Sequence, residues 1–153
     1  MIFRLLILNL VVGIVSFPTS LVFFKKFSDK GYAVSHLIGW FSISYISFLL
    51  SQLGVPVYSS QYVAFSIWLC INIYLEIRNR SIKETLEITI IVNTQLIFIF
   101  FFFLWYYTRI GDFRLNTIER TPDFGIIKTL FNSTTLPPTD FWLANKTINY
   151  YYF

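Results

Sequence analysis

The stretch LEITIIVNTQLIFIFFFFLWYY, residues Leu86–Tyr107, decides the fold. Apolar side chains run through it almost without interruption. As a helix rising 1.5 Å per residue, it would be about 33 Å long, close to the roughly 30 Å of hydrocarbon in a bilayer. It ends in Trp105, Tyr106 and Tyr107, residue types that concentrate where a membrane meets water. The stretch therefore predicts a transmembrane helix.

Three apolar segments precede it, Ile2–Phe24, Ala33–Leu53 and Tyr58–Ile77. The whole chain is 56% hydrophobic and 13% charged, whereas about a quarter of the residues in soluble domains are charged. We predict an all-α, polytopic integral membrane protein with about four transmembrane helices over residues 1–107. No convincing small-residue cleavage site follows the first segment, which favours an uncleaved helix over a signal peptide. Pro18 is expected to kink or end that helix.

Charges predict which side each loop occupies. The loops before the second and fourth segments are rich in Lys and Arg, while the turn Gly54–Pro56 carries no charge. Because positive loops stay in the cytoplasm, the amino terminus and residues 108–153 are expected outside. The predicted location is a cell membrane, with residues 108–153 as an extracytoplasmic loop. The net charge of +4 is carried by loops of this kind, and nothing in the sequence indicates nucleic-acid binding.

Residues 108–153 form the second predicted region, in which polar residues interrupt the apolar pattern. Phe124–Phe131 is predicted to form a short amphipathic helix, because Pro122 suits a first helical turn. Pro137 and Pro138 prevent that helix from continuing. The sequence thus predicts a water-facing loop that contains one short helix.

Three acids in this loop are candidates for chemistry: Glu119, Asp123 and Asp140. Carboxylates near a membrane surface can bind a divalent cation such as Mg or Mn, orient a phosphate through it, or act as a general base. Glu119 and Asp123 would share one face of a helix, but Pro122 favours a turn there. The alternative is a solvated loop whose charges pair with Arg120 or Lys128.

The stretch ERTPDFGIIKTLFNSTTLPPTDFWLANKTINYYYF, residues 119–153, resembles the signature of the YYY-domain membrane proteins of archaea and Chloroflexi. Their pattern runs close to Glu-Lys-Pro-Met-Asp-Phe-Ala, then Pro-Pro-x-Asp-Pro-Trp-x-Ala-Gly, then Ile-Asn-Tyr-Tyr-Tyr-Phe-Gly. DKGYAVSHLIGW and SQLGVPVYS resemble the opening helices of that family, so the resemblance covers nearly the whole chain. The residues that match the three blocks are Glu119, Pro122 (shifted by one place), Asp123 and Phe124; Pro137, Pro138, Asp140, Trp142 and Ala144; and Ile148–Phe153.

The departures from the pattern are few. Arg120-Thr121-Pro122 stands for Lys-Pro-Met, Phe141 for proline and Asn145 for glycine. They alter the expected backbone shape of the loop more than its acids.

The resemblance implies a layout similar to polytopic glycosyltransferases that use lipid-phosphate-linked sugars, such as a polyprenyl-phosphate donor. Carried over by residue, Asp123 is the first choice for a catalytic or metal-binding acid, with Glu119 as its metal partner and Asp140 next. Family members continue through many more helices, so the chain is expected to be an amino-terminal part that is inactive alone. The residues implied to line the donor site are Arg120, Trp142, Asn149, Tyr150, Tyr151 and Tyr152.

Two rival interpretations stay open: a membrane scaffold whose aromatic loop docks a partner, and a fragment of a transporter. Trp142 and the tyrosines can also serve as interfacial anchors. His36 is the single histidine, and we expect an interfacial or packing role for it rather than metal binding. Asn72, Asn93 and Gln95 are polar residues inside apolar segments, where amides usually hydrogen-bond between helices.

Overall fold

The computed structural model describes residues 2–78, 87–110, 120–134, 136–143 and 146–148. Within these ranges the chain is all-α, as predicted, with an isolated β-bridge and no extended strands. The helices are α1 (Ile2–Phe24), α2 (Tyr32–Gln52), α3 (Val57–Arg78), α4 (Ile88–Ile110) and α5 (Arg120–Asn132).

Three helices are long and apolar enough to cross a membrane: Phe3–Phe24, Tyr32–Gln52 and Ile88–Thr108, counted over the described residues. The prediction of four membrane-spanning helices is therefore wrong in number, since three helices qualify among the described residues. Helix α3 has a suitable length of 22 residues, but Ser, Gln, Asn and Glu side chains lower its mean hydropathy. Length alone suggested a fourth span, whereas polarity separates α3 from the other three helices.

Contacts divide the chain into two compact units. Unit 1 comprises Met1–Ser42 and Ser66–Gly111, and unit 2 comprises Ile43–Phe65 and Asp112–Phe153. Each unit therefore combines parts that are distant in sequence. The predicted division into a membrane region, 1–107, and an extracytoplasmic loop, 108–153, stays a prediction.

In unit 1, α1 and α2 run antiparallel and approach closely. The Ser35 hydroxyl donates to the Gly13 carbonyl at 2.9 Å, and the Trp40 indole N–H donates to Asn9 Oδ1 at 3.0 Å. A β-carbon on Gly13 would overlap the ring of His36, and one on Gly39 would overlap Ser16 and Val12 of α1. Glycine is therefore required at both positions for the backbones to come this near.

Helix α3 lies alongside α1 and runs in the same direction. The Trp68 indole N–H donates to the Ser16 hydroxyl at 2.9 Å. One turn further, Asn72 Oδ1 accepts from both the backbone N–H and the hydroxyl of Thr19, at 3.1 and 2.8 Å. Asn72 Nδ2 donates to the Trp68 carbonyl. Asn72 thus joins two helices, as predicted for an amide in an apolar segment.

Pro18 lies inside α1, which continues to Phe24. The helix therefore does not end at Pro18, and a kink there stays a prediction. The Asn72 amide supplies an acceptor to the residue next to the proline, in keeping with the rule that neighbouring helices satisfy backbone groups near a transmembrane proline.

Gln95 of α4 connects to the start of α2. Its Nε2 donates to the Tyr32 hydroxyl at 3.0 Å and lies 2.8 Å from His36 Nε2. The His36 ring also stacks on Phe98 at 6.2 Å between centroids. His36 is only 7% exposed, so the predicted packing role is confirmed. Pairing of Tyr32 with Gln95 and of His36 with Phe98 indicates that α2 and α4 run parallel. Asn93, in contrast, is exposed and bonds no other helix among the described residues.

In unit 2, the end of α2 and the start of α3 are joined by serines. The Ser60 hydroxyl lies 2.7 Å from that of Ser47, accepts from Ser51 at 2.9 Å, and donates to the Val57 carbonyl. The turn between the helices passes through Gly54, whose φ of 91° favours glycine. Beyond the turn, the Val57 N–H donates to the Thr134 carbonyl at 3.3 Å.

Candidate functional site

Helix α5 contains Asp123, the first acid of the candidate site. It begins at Arg120, earlier than the predicted start at Phe124, and it includes Asp123 and Pro122. The expectation of a turn at Asp123 is therefore wrong. Proline is tolerated here because the first N–H groups of a helix have no partner within the helix. Asp123 lies near the amino-terminal end of α5, where the helix dipole favours a negative charge.

After α5, the segments 136–143 and 146–148 lie side by side. Thr139 and Thr147 form an antiparallel bridge. The Asp140 N–H donates to the Lys146 carbonyl at 2.7 Å, and the Ile148 N–H donates to the Pro138 carbonyl at 2.8 Å. Pro138 and Ile148 are buried. We call these two segments, 136–143 and 146–148, the Asp140 loop; the hydrogen bonds between them fix the backbone of Asp140.

The Asp140 carboxylate shapes the tip of the loop. Its Oδ1 accepts from the backbone N–H of Trp142 at 2.7 Å and of Leu143 at 3.1 Å. Aspartate commonly stabilises turns in this way. Oδ2 makes no hydrogen bond within the described part of the chain. Asp140 is therefore a turn-forming residue with one oxygen left for other contacts.

Trp142 lies on an open surface at this tip. It is 66% exposed, and its ring centroid is 4.4 Å from that of Phe141, at an interplanar angle of 44°. An exposed indole whose backbone is fixed by Asp140 can offer its face to a sugar or a lipid headgroup. The predicted donor-site role of Trp142 remains a prediction.

A glycine brings α5 and the Asp140 loop together. A β-carbon on Gly125 would lie 2.5 Å from two atoms of the Phe141 ring, so the aromatic ring packs on the bare helix backbone. Gly125 is two residues after Asp123, and Phe141 directly follows Asp140. The first two blocks of the resembled signature therefore belong to one structural module, α5 with the Asp140 loop.

Sequence reasoning missed this contact. The resembled pattern has alanine where Gly125 stands and proline where Phe141 stands, so a smaller residue on the helix accompanies a larger one on the loop. Considering both substitutions together would have indicated the contact.

Replacing Gly125 with Ala is expected to loosen the Asp140 loop, because the added methyl group overlaps the Phe141 ring. Overpacking of this kind costs about 1–3 kcal/mol. Local opening should then expose the backbone near Lys146, and tryptic cleavage after Lys146 should become about tenfold faster. Band intensities of the purified full chain during limited proteolysis give the rate.

The matched comparison is the double variant Gly125→Ala/Phe141→Ala. Removing the ring makes room for the methyl group, so adding Gly125→Ala to Phe141→Ala should change the cleavage rate much less than adding it to the native chain. Equal effects in both backgrounds would show that the two residues do not interact.

Several predicted residues cannot be placed in this module. Glu119, Asn149 and the triplet Tyr150–Tyr152 lie outside the described residues, and the side chains of Arg120 and Asp123 do too. Among the described residues, no group of three or more His, Cys, Asp or Glu side chains could hold a metal ion. The metal pair Asp123 and Glu119 therefore stays a prediction.

Comparison with known proteins identifies a family. Residues 42–153 match the family described as uncharacterized membrane protein (DUF2298). No curated protein matches the chain, and no solved structure matches it. The match spans the second half of α2, all of α3 and α4, and the module formed by α5 and the Asp140 loop. The chain is thus a membrane protein that belongs to the DUF2298 family.

Proposed function

We propose that this chain is the amino-terminal part of a membrane glycosyltransferase of the YYY type, which transfers a sugar from a polyprenyl-phosphate donor. The observation that carries the proposal is the packing of Gly125 against Phe141. It joins the helix bearing Asp123 to the loop bearing Asp140 and the exposed Trp142. Acid and aromatic residues, both of which sugar transfer uses, thereby belong to one module.

Each residue has a defined task in this proposal. The Asp123 carboxylate takes the proton from the acceptor hydroxyl. The acceptor oxygen then attacks the anomeric carbon of the sugar, and the bond from that carbon to the phosphate oxygen breaks. The lipid phosphate leaves with the bonding electrons, and Arg120 stabilises its charge. Trp142, held in place by Asp140, presents its ring to the sugar.

A divalent cation, Mg or Mn, would neutralise the departing phosphate when bound. The proposed ligands are Asp123 and Glu119, whose carboxylate oxygens suit such hard cations. Residues from later helices of the longer protein would complete the site. The donor-lining set proposed beyond Trp142 is Asn149, Tyr150, Tyr151 and Tyr152.

A multi-pass arrangement, with the module outside the cytoplasm, is part of the proposal. The Val57–Thr134 hydrogen bond supports this, because it ties the chain after α5 to the turn after α2. That turn is uncharged, whereas the loop before α2 contains Lys25, Lys26 and Lys30. The positive-inside rule therefore favours placing the module outside.

The direct test is a transfer assay with the full-length protein, a radiolabelled polyprenyl-phosphate sugar and an acceptor. Activity that falls sharply with Asp123→Asn, at unchanged abundance, is the expected result. Full activity of that variant would remove Asp123 from the chemistry. Loss of a bound protein partner, with no transfer by the native protein, would favour a scaffold instead.

Sidedness is tested by labelling single cysteines in cells with a reagent that does not cross membranes. Cysteine in place of Asn132 should react from outside, and cysteine in place of Ser28 should react only after the cells are permeabilised. The native Cys70 is exposed and must first be replaced by Ala. The reverse pattern would contradict the proposed location.

A further inference from the structure

We infer that the module formed by α5 and the Asp140 loop lies in the bilayer interface and inserts the exposed apolar arc of α5 among the lipid headgroups. The inference concerns a lipid surface rather than a sugar site. It holds whether or not the longer protein transfers sugars, and it does not depend on which side of the membrane the module occupies.

The two sides of α5 differ sharply. Ile126 is 8% exposed, whereas Phe124 and Ile127 are 54% and 58% exposed. Residues three apart are neighbours on a helix surface, so Phe124 and Ile127 form one arc. Gly125 lies on the other side, under the Phe141 ring. One side of α5 is thus covered by the Asp140 loop, and the arc is left without a protein partner in the described residues.

The end of α5 is attached to a membrane-spanning element. Helix α2 is long and apolar enough to span, and it ends at Gln52. Five residues later, the Val57 N–H donates to the Thr134 carbonyl, two residues after α5 ends. Because a spanning helix ends near the headgroups, this bond holds the carboxyl end of α5 at the same level. The module cannot move far from the membrane surface while the bond is intact.

Basic residues border the apolar arc. Lys128 follows Phe124 by one helical turn and is exposed, and Lys146 is exposed on the Asp140 loop. Interfacial helices typically carry aromatic and aliphatic side chains on one face and lysine at the border, where its ammonium group reaches lipid phosphates. Trp142 and Leu143, both more than half exposed, add residue types suited to the same depth.

A bilayer accounts for the exposed apolar arc, the bordering lysines and the attachment to α2 better than a protein partner does. Attachment beside a spanning helix keeps headgroups within reach at all times, whereas a separate protein would have to be captured from solution. An interfacial helix buries its apolar face about 5–10 Å into the headgroup and acyl boundary. Phe124 and Ile127 have side chains of suitable size and exposure for that depth.

The test uses the full chain, with Cys70→Ala, in vesicles of phosphatidylcholine and phosphatidylglycerol. Single cysteines replace Phe124, Ile127 or the exposed polar residue Asn132, and each carries a bimane fluorophore. Lipids brominated near the headgroup end of the acyl chain quench a fluorophore that enters the membrane. Quenching at positions 124 and 127 should be about twofold or more above that at 132, as expected for an inserted arc.

Aqueous iodide provides the opposing measurement. It should quench the fluorophore at 132 more strongly than at 124 and 127. Strong iodide quenching at 124 and 127, without quenching by brominated lipid, would show that the arc faces water and would overturn the inference. Protection from both quenchers would indicate a protein-covered arc and would overturn it as well. All three positions are exposed, so these substitutions should leave folding intact, which gel filtration of each labelled chain confirms.

Discussion

Asp123→Asn in the full-length protein is expected to slow sugar transfer by about 10²–10⁴-fold, the usual contribution of a positioned general base. Asparagine has nearly the same shape as aspartate, but its amide cannot accept the proton of the acceptor hydroxyl. The substitution also removes a negative charge near the start of α5, which reduces its interaction with the helix dipole only modestly. Initial rates at saturating donor measure the effect on kcat.

Asp140→Asn is the matched comparison. Asparagine keeps the oxygen that accepts from the N–H groups of Trp142 and Leu143, so the turn should survive. We expect a much smaller fall in kcat than for Asp123→Asn. If both variants lose activity equally, Asp140 is part of the chemistry; if only Asp140→Asn is inactive, the role assigned to Asp123 is wrong.

Asn72→Leu is expected to produce the largest loss of stability in unit 1. Leucine removes both hydrogen bonds to Thr19 and the one to the Trp68 carbonyl. Hydrogen bonds between membrane helices are worth about 0.6 kcal/mol on average and up to about 1.7 kcal/mol, so the two bonds to Thr19 give a loss of roughly 1–3 kcal/mol. Thermal unfolding of the purified chain in detergent should show a clearly lower midpoint.

Asn93→Leu supplies the control for that experiment. Asn93 is also an amide in an apolar helix, but it is exposed and contacts no other helix among the described residues. Its replacement should change the free energy of unfolding by about 0.5 kcal/mol or less. Similar losses in both variants would mean that the amide type, rather than the Thr19 contact, determines stability.

The two asparagines also show how far sequence reasoning reaches. Long apolar runs predict the bounds of α1, α2 and α4 closely, because hydrocarbon thickness fixes their length. The same logic failed to separate α3, whose polar residues lower its hydropathy. The pattern alone gave Asn72 and Asn93 the same interpretation. Only the packed structure reveals that Asn72 faces α1 while Asn93 does not.

The candidate site was predictable in part. The acids are visible from residue type and spacing, whereas the role of Trp142 is implied by the resemblance to the YYY-domain proteins. The start of α5 at Arg120 differs from the predicted start at Phe124, because Pro122 belongs to the first helical turn and the helix therefore begins before the proline rather than after it. The contact of Gly125 with Phe141 depends on a distance across sixteen residues of chain. Residue types cannot supply such distances.

The ring of His36 fills the space that any side chain at position 13 would need. Evolution therefore cannot change these two sites independently. Homologous chains that keep a large residue at the His36 position should keep glycine at the Gly13 position, and those that enlarge the Gly13 position should carry a small residue opposite it. Correlated substitutions at positions 13 and 36 are therefore the expected evolutionary consequence of this contact between α1 and α2.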